Sequence, residues 1–142
     1  MNNTIEYDYF WFKRDLTSLI HQLKNKQFNR IIAVPRGGLI LGTCLSHALN
    51  VRLITTVSEC ISIPPKSRVL IVDDLTDSGR AMKEWIAAVG LGYQLDVSVA
   101  TLLHNTEVEL GVEHFYGTSY NRQNEKRYFD FWWEVANKGV TE

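Results

Sequence analysis

The sequence predicts an α/β fold: a single domain over residues 1–142 with a mainly parallel sheet flanked by helices. Three observations predict it. Short β-branched runs alternate with segments of helical period, the pattern of successive strand–helix units. The run "VLIVD" (69–73) is apolar up to its closing acid, as in a strand covered on both faces. Two glycine-bearing turns, "PRGG" (35–38) and "DSG" (77–79), each follow an apolar run. That places them at the carboxyl ends of strands, where open parallel sheets form their sites. A chain of 142 residues, 45% hydrophobic and 22% charged, has ordinary globular composition and length enough for a sizeable core.

The elements follow in order. The leading "MNNTIEYDYFWFKRD" carries acids and no apolar h-region, so it does not read as a signal peptide. Over residues 12–23, Phe12, Leu16, Leu19, Ile20 and Leu23 make one helical face. "RIIAV" (30–34) is a β-branched strand, and "PRGG" must turn. Residues 39–49 read as a buried helix closing near Asn50, and 51–57 as a strand. "SIPPKS" (62–67) interrupts regular structure, because its prolines remove backbone donors. After the strand at 69–73 comes a helix over 78–89 that ends at Gly90, then strands at 96–103 and 113–120. There is no repeat, linker or low-complexity tract, and no run reaches the roughly eighteen apolar residues of a membrane span.

Net charge is −1, which favours neither nucleic acid nor membrane as a partner, although local patches remain open. Cys44 and Cys60 sit in apolar surroundings without C-x-x-C spacing and read as small buried hydrophobes. His21, His47 and His114 read as structural, while His104 stands at a strand's carboxyl end, nearer the chemistry. "SYNRQNEKRYF" (119–129) places basic residues among aromatics. It reads as a solvated loop, with contact to RNA or a nucleotide phosphate as the other reading.

Three short stretches can carry chemistry. In "DSGRA" (77–81) a glycine turn at a helix start aims free N–H groups and the positive helix dipole outward, which suits a phosphate. Ser78 adds a hydroxyl and Arg80 a charge-assisted bond. The plain alternative is a helix cap by Asp77 or Ser78, worth about 1 kcal/mol. Asp73 and Asp74 are neighbours on a strand and point to opposite faces, so both cannot be buried cheaply. Either they face a cation, magnesium or a positively charged intermediate, or one pairs with a basic side chain and the other is solvated. In "PRGG", Gly37 and Gly38 allow close approach of backbone to a ligand and Arg36 suits a pyrophosphate clamp. Alone, this motif is equally a tight strand-to-helix turn.

Taken together, "IIAVPRGGLILG" and the later "VLIVDDLTDSGRAM" resemble the type I phosphoribosyltransferases, most closely the short bacterial xanthine-guanine and hypoxanthine enzymes. The likeness covers residues 29–103, with a weaker one towards the end of the chain. It implies a small base-pocket or hood subregion beside the sheet. It also implies transfer of a 5-phosphoribosyl group from phosphoribosyl pyrophosphate to a nucleobase, by preference a purine, with Mg2+. Asp73 and Asp74 would bind the ribose hydroxyls, directly or through magnesium, and stabilise an oxocarbenium-like transition state. Asp77, Ser78, Gly79, Arg80 and Ala81 would cradle the 5-phosphate. Asp77 also matches the acid that manages the purine N7 proton. Arg36, Gly37 and Gly38 would hold pyrophosphate, with an unusual cis peptide near Pro35–Arg36. In "YFDFWWE" (128–134), Tyr128 would stack on the base, and Phe129 and Asp130 would bond its edge. An aromatic plug over the core is the other reading of that stretch. The resemblance further implies a cytoplasmic homodimer or higher homo-oligomer, with no membrane and no nucleic-acid partner.

The chain departs from the family pattern in three places. Where the purine enzymes carry a lysine for the 6-oxo group, this sequence has His104 and Asn105, so Asn105 is the candidate there. Ala81 replaces the closing threonine of the phosphate loop, removing a hydrogen bond of about 1 kcal/mol. Between the second strand and the acid pair, "TVSECISIPPKSR" (56–68) stands in place of a long flexible hood. The hood's Ser-Tyr pair is missing there, and Ser119-Tyr120 lies elsewhere. The short hood leaves a second reading open: a nucleotide-binding or regulatory module that keeps the fold and drops the chemistry.

Overall fold

A computed structural model describes residues 3–134. In chain order it contains β1 (Thr4–Tyr7), α1 (Tyr9–Leu23), β2 (Arg30–Ala33), α2 (Gly38–Leu49), β3 (Leu53–Ile54), a 3-10 turn (Val57–Ser62), β4 (Arg68–Thr76), α3 (Arg80–Tyr93), β5 (Asp96–Asn105), β6 (His114–Tyr120) and β7 (Tyr128–Phe131). The main sheet has five strands in the order β3-β2-β4-β5-β6, every neighbouring pair parallel. β1 and β7 form a separate parallel pair with Thr4 opposite Tyr128 and Tyr7 opposite Phe131. This pair is the small subregion beside the main sheet.

The strand period explains the layers. On β4, Leu70 and Val72 face α1 and α2, where they join Ile31, Ala33, Leu41 and Leu19. Val69 and Ile71 face α3, with Ile32, Val97, Val99 and Met82. All four β4 residues are completely buried, as a strand covered on both faces requires. Among the described residues, no helix is long and apolar enough to cross a membrane.

The differences from the sequence reading have local causes. α1 starts at Tyr9, ahead of the periodic face, because the Asp8 carboxylate accepts the Trp11 N–H at 2.9 Å and caps the helix. α2 closes as expected at Asn50, which takes the left-handed conformation with φ 54°. α3 runs through Gly90 to Tyr93 and is closed instead by Gln94, φ 56°.

The strand expected over 51–57 is reduced to Leu53–Ile54. There the Glu59 carboxylate accepts from the Thr55 N–H, the Thr56 N–H and the Thr56 hydroxyl at 3.2, 3.1 and 2.8 Å, which turns the chain out of the sheet. The resulting 3-10 turn packs on α3 and buries Cys60 completely. The short segment in the hood position is therefore anchored to the core through Cys60 and Ile63, with Ile61 and both prolines exposed. Cys44 and Cys60 are both free thiols, and burial raises the pKa of each.

β1 and β7 were not legible as strands, because each is only four residues long, and aromatic residues dominate β7. Tyr7 packs on Trp11 and Phe131 with ring centroids 5.1 and 5.0 Å apart, and Phe131 stacks on Trp133 at 4.8 Å. A buried carboxylate ties this cluster to the main sheet. Asp15 on α1, 1% exposed, accepts from the Tyr7 hydroxyl at 2.6 Å and from the Thr118 hydroxyl at 2.7 Å. Gly117 makes the approach possible, since a Cβ there would overlap Asp15. Burial holds the Asp15 carboxyl above its usual range, and its two hydroxyl donors pull the other way.

Candidate functional site

The site forms where two strand ends lie side by side. Ala33 on β2 is opposite Val72 on β4, and the Val34 N–H donates to the Val72 carbonyl at 2.9 Å. Beyond that point β2 turns through residues 35–38 into α2, while β4 continues to Thr76. The PRGG turn is thereby laid against Asp73 and Asp74. The contact is close enough to demand glycine twice. A Cβ on Gly37 would overlap the Asp74 carboxylate, and a Cβ on Gly38 would overlap the Val72 carbonyl oxygen. The Pro35–Arg36 peptide is cis. Arg36 is exposed at the mouth of the cleft.

Asp73 and Asp74 are half-buried and adjacent. The Asp74 N–H donates to Asp73 Oδ1 at 2.8 Å. Both carboxyls are pushed above the usual range. For Asp73 the causes are burial and then the charge of Asp74. For Asp74 burial comes first, and the Glu134 charge adds to it. A pair raised in this way releases free energy when a positive group is placed against it. Among the described residues, no cluster of three or more His, Cys, Asp or Glu could enclose a metal ion.

The phosphate-type turn follows. Gly79 takes φ 82° and caps α3, and the Lys83 N–H returns to the Gly79 carbonyl at 2.9 Å. The N–H groups of the first turn lack intrahelical acceptors and present the positive end of the helix dipole. The Arg80 N–H donates to Ser78 Oγ at 3.3 Å, and Ser78, Arg80 and Ala81 are exposed. Gly79 is also packed under the loop after β5, where an added Cβ would sit 2.5 Å from Val108.

Asn105 brackets this turn from β5. It is 5% exposed, its Nδ2 donates to the Asp77 carbonyl at 2.9 Å, and its Oδ1 accepts from the Glu107 and Arg122 N–H groups at 3.2 and 3.1 Å. Its amide is thus engaged on both sides. The Asp77 carboxylate is held as well. Oδ1 accepts from the Tyr120 hydroxyl and from Arg122 Nε, each at 2.9 Å.

Tyr120 and Arg122 are the site residues that the sequence reading missed. They belong to a stretch read as a solvated loop, and their partner is more than forty positions away, at |i−j| of 43 and 45. The one available signal was a basic residue among aromatics straight after the last main-sheet strand.

Tyr128, Phe129 and Asp130 lie on β7, beside the main sheet rather than in it. Tyr128 is 67% exposed, and the Arg122 guanidinium carbon lies 5.7 Å from its ring centre. Phe129 is half-buried between Tyr120 and Trp11, at 5.0 and 6.4 Å. Asp130 is half-buried. The plug reading describes Phe131 and Trp133, which pack on Tyr7; the outward Tyr128 lies apart from that plug. His104 and His114 contact each other with centroids 4.3 Å apart, and His114 Nε2 is 2.9 Å from Thr101 Oγ1. Burial lowers both pKa values, that of His114 to about 4, where the charge of His104 adds to the effect.

No family model matches the chain. Over 92 residues it is 36% identical to the xanthine-guanine phosphoribosyltransferase of Chromohalobacter salexigens, covering 51% of this chain and 56% of that protein. The match thus spans little more than half the length of this curated relative. Among solved structures, the chain superposes on the Helicobacter pylori xanthine-guanine-hypoxanthine phosphoribosyltransferase with a TM-score of 0.75 at 21% identity, covering 96% of this chain and 97% of that one. For the Pyrococcus horikoshii purine phosphoribosyltransferase the values are 0.73, 22%, 92% and 93%. For a hypothetical protein of Neisseria gonorrhoeae with bound ppGpp they are 0.76, 18%, 94% and 90%. These neighbours share the fold: a parallel sheet with flanking helices, of the type I phosphoribosyltransferase kind.

Proposed function

We propose, starting from the type I phosphoribosyltransferase fold, that the chain transfers a 5-phosphoribosyl group from phosphoribosyl pyrophosphate to a purine base. The products are a nucleoside monophosphate and pyrophosphate. One observation carries the reading: the PRGG turn and the Asp73–Asp74 pair meet at adjacent strand ends, with Gly37 against Asp74. The sequence match to a xanthine-guanine phosphoribosyltransferase supports it.

Each residue then has a role set by its position. Ser78, Gly79, Arg80 and Ala81 receive the 5-phosphate at the start of α3, where backbone donors converge. Asp73 and Asp74 take the ribose hydroxyls and place negative charge beneath the sugar as it becomes cationic. Their raised carboxyls favour such a partner. Gly37 and Gly38 bring the α2 start close to the pyrophosphate, and Arg36 supplies a guanidinium at the mouth.

The donor set fits magnesium. Asp73 and Asp74 supply two half-buried carboxylates, the oxygen donors that magnesium takes. When bound, Mg2+ would neutralise the departing pyrophosphate, with Asp73 and Asp74 holding it. Asp77 meets the base edge with Oδ1 already engaged, Tyr128 offers the ring for stacking, and Phe129 and Asp130 complete the base side. Asn105 acts on the base indirectly, as the bracket of the Asp77 turn.

The reading takes residues 1–142 as one unit. It places the protein in the cytoplasm, in keeping with free Cys44 and Cys60, and expects a homodimer or higher homo-oligomer. A nucleotide-binding module without turnover is not favoured, because the sequence match is to an enzyme, a xanthine-guanine phosphoribosyltransferase. Pyrophosphate release is the test, measured with phosphoribosyl pyrophosphate, magnesium and, in turn, adenine, guanine, hypoxanthine, xanthine, uracil and orotate. Release with at least one purine and none with uracil or orotate is expected. Silence across all six overturns the reading.

A further inference from the structure

We propose that Arg122 is a positioning residue that fixes the base-side segment against the sugar-phosphate end. Only the kinetic part of this inference rests on the phosphoribosyltransferase reading.

β7 carries Tyr128, Phe129 and Asp130, yet among the described residues it pairs only with β1 and makes no ladder with the main sheet. One anchor is β1, which runs straight into α1 through Asp8; the other is made by side chains and the connection at residues 121–127. Arg122 is where that connection is tied. Nε donates to Asp77 Oδ1 at 2.9 Å, on the turn between β4 and α3. Nη1 donates to the Glu125 carbonyl at 2.9 Å and the Arg127 carbonyl at 2.6 Å, folding the connection around the guanidinium.

The Arg122 N–H donates to Asn105 Oδ1, while Asn105 Nδ2 holds the Asp77 carbonyl. The connection and the turn are thus joined twice, through the side chain and the backbone of one acid. The guanidinium carbon lies 4.9 Å from the Tyr120 ring centre and 5.7 Å from that of Tyr128, within cation–π range of both. The Arg127 and Glu125 side chains close the connection at 2.9 and 3.0 Å.

A planar fork is required here. One edge meets a carboxylate while another nitrogen spans two carbonyls, which a lysine point charge cannot reproduce. Arg122→Lys keeps the charge beside Asp77 and gives up the carbonyl contacts. Arg122→Gln gives up both.

Hydrogen exchange of the unliganded full chain reads the tie without any assumption about activity. Arg122→Gln is expected to speed exchange over residues 121–131 by about tenfold or more, the scale of a lost charge-assisted bond, and to leave 69–76 unchanged. Arg122→Lys should fall between, and it is read alone should Arg122→Gln not fold. Unchanged exchange at 121–131 overturns the proposal.

Steady-state kinetics give the second readout. In Arg122→Gln the KM for the purine should rise about tenfold, while the KM for phosphoribosyl pyrophosphate stays within about twofold. Equal rises in both, or none, overturn the positioning role. If the wild-type chain shows no turnover, the proposed function has failed, and exchange at 121–131 still decides for or against the tie.

Discussion

The two sides of the cleft are held by opposite means. The proposed sugar-phosphate end centres on Asp73 to Gly79, which follow the completely buried residues 69–72 of a strand backbone-bonded to β2 and β5. The proposed base side is carried on a two-stranded sheet held to the rest by the link from β1 into α1, aromatic rings, the buried Asp15 and the Arg122 tie. A scaffold of backbone ladders fixes charge to fractions of an ångström, which a forming cation needs. A scaffold of side-chain contacts is more easily re-aimed, which suits the side of a site that selects among bases. Changes at the first side should therefore act on turnover, and changes at the second on base affinity.

The largest expected effect is on the acid pair. Asp73→Asn or Asp74→Asn should lower turnover by about 100-fold to 1,000-fold, the scale of removing one transition-state electrostatic partner. The unliganded variant should at the same time gain stability. Because the folded pair titrates above its unfolded values, the native state binds more protons than the unfolded state between the two. Stability therefore falls as pH rises from the ordinary carboxylate range through the raised values. Thermal unfolding across that window should show a downward slope in the wild type and a shallower one in either variant. Loss of stability on substitution would argue that the pair is structural.

The second prediction concerns the base side. Asp15→Ala leaves the Tyr7 and Thr118 hydroxyls without their acceptor and should cost about 2–3 kcal/mol in denaturant unfolding. The loss should be accompanied by early exchange in β1 and β7, while β4 and β5 retain their protection. Uniform loss across all strands would mean that the two regions unfold as one and would weaken the comparison.

Gly38→Ala comes next. It presses a methyl group on the Val72 carbonyl and should destabilise by about 1–3 kcal/mol with loss of turnover. Gly92→Ala on α3 meets nothing within 4 Å and should stabilise by up to about 1 kcal/mol with activity intact. The smallest loss of function is expected at the exposed Tyr128. There Tyr128→Ala should raise the KM for the base by roughly five- to tenfold, and Tyr128→Phe should leave it within about twofold.

What could be read beforehand follows the same division. "VLIVDDLTDSG" states its strand, its acids and its turn within eleven consecutive letters, since local spacing alone sets them. The meeting of PRGG with the acid pair was also legible, because parallel strands bring their carboxyl ends to one edge. The partners of Asp77 were not. Tyr120 and Arg122 reach it through tertiary packing, and nothing in the local pattern of "SYNRQ" points to residue 77. The strands at Thr4–Tyr7 and Tyr128–Phe131 were hidden for a related reason: each is four residues long and, among the described residues, pairs only with the other. The short segment before β4 was legible in length but not in conformation, because the Glu59 carboxylate that turns it out of the sheet acts on Thr55 and Thr56 through geometry, not period.

The central claim is that Asp73 and Asp74 are tolerable together because a sugar and a cation are held over them. Calorimetric titration of phosphoribosyl pyrophosphate into the wild-type chain, with and without magnesium, and into an Asp73→Asn/Asp74→Asn double variant, tests it most directly. The account predicts binding to the wild type with magnesium, weakened by at least about tenfold when either the metal or the acid pair is removed. Equal affinity in all three titrations would contradict it.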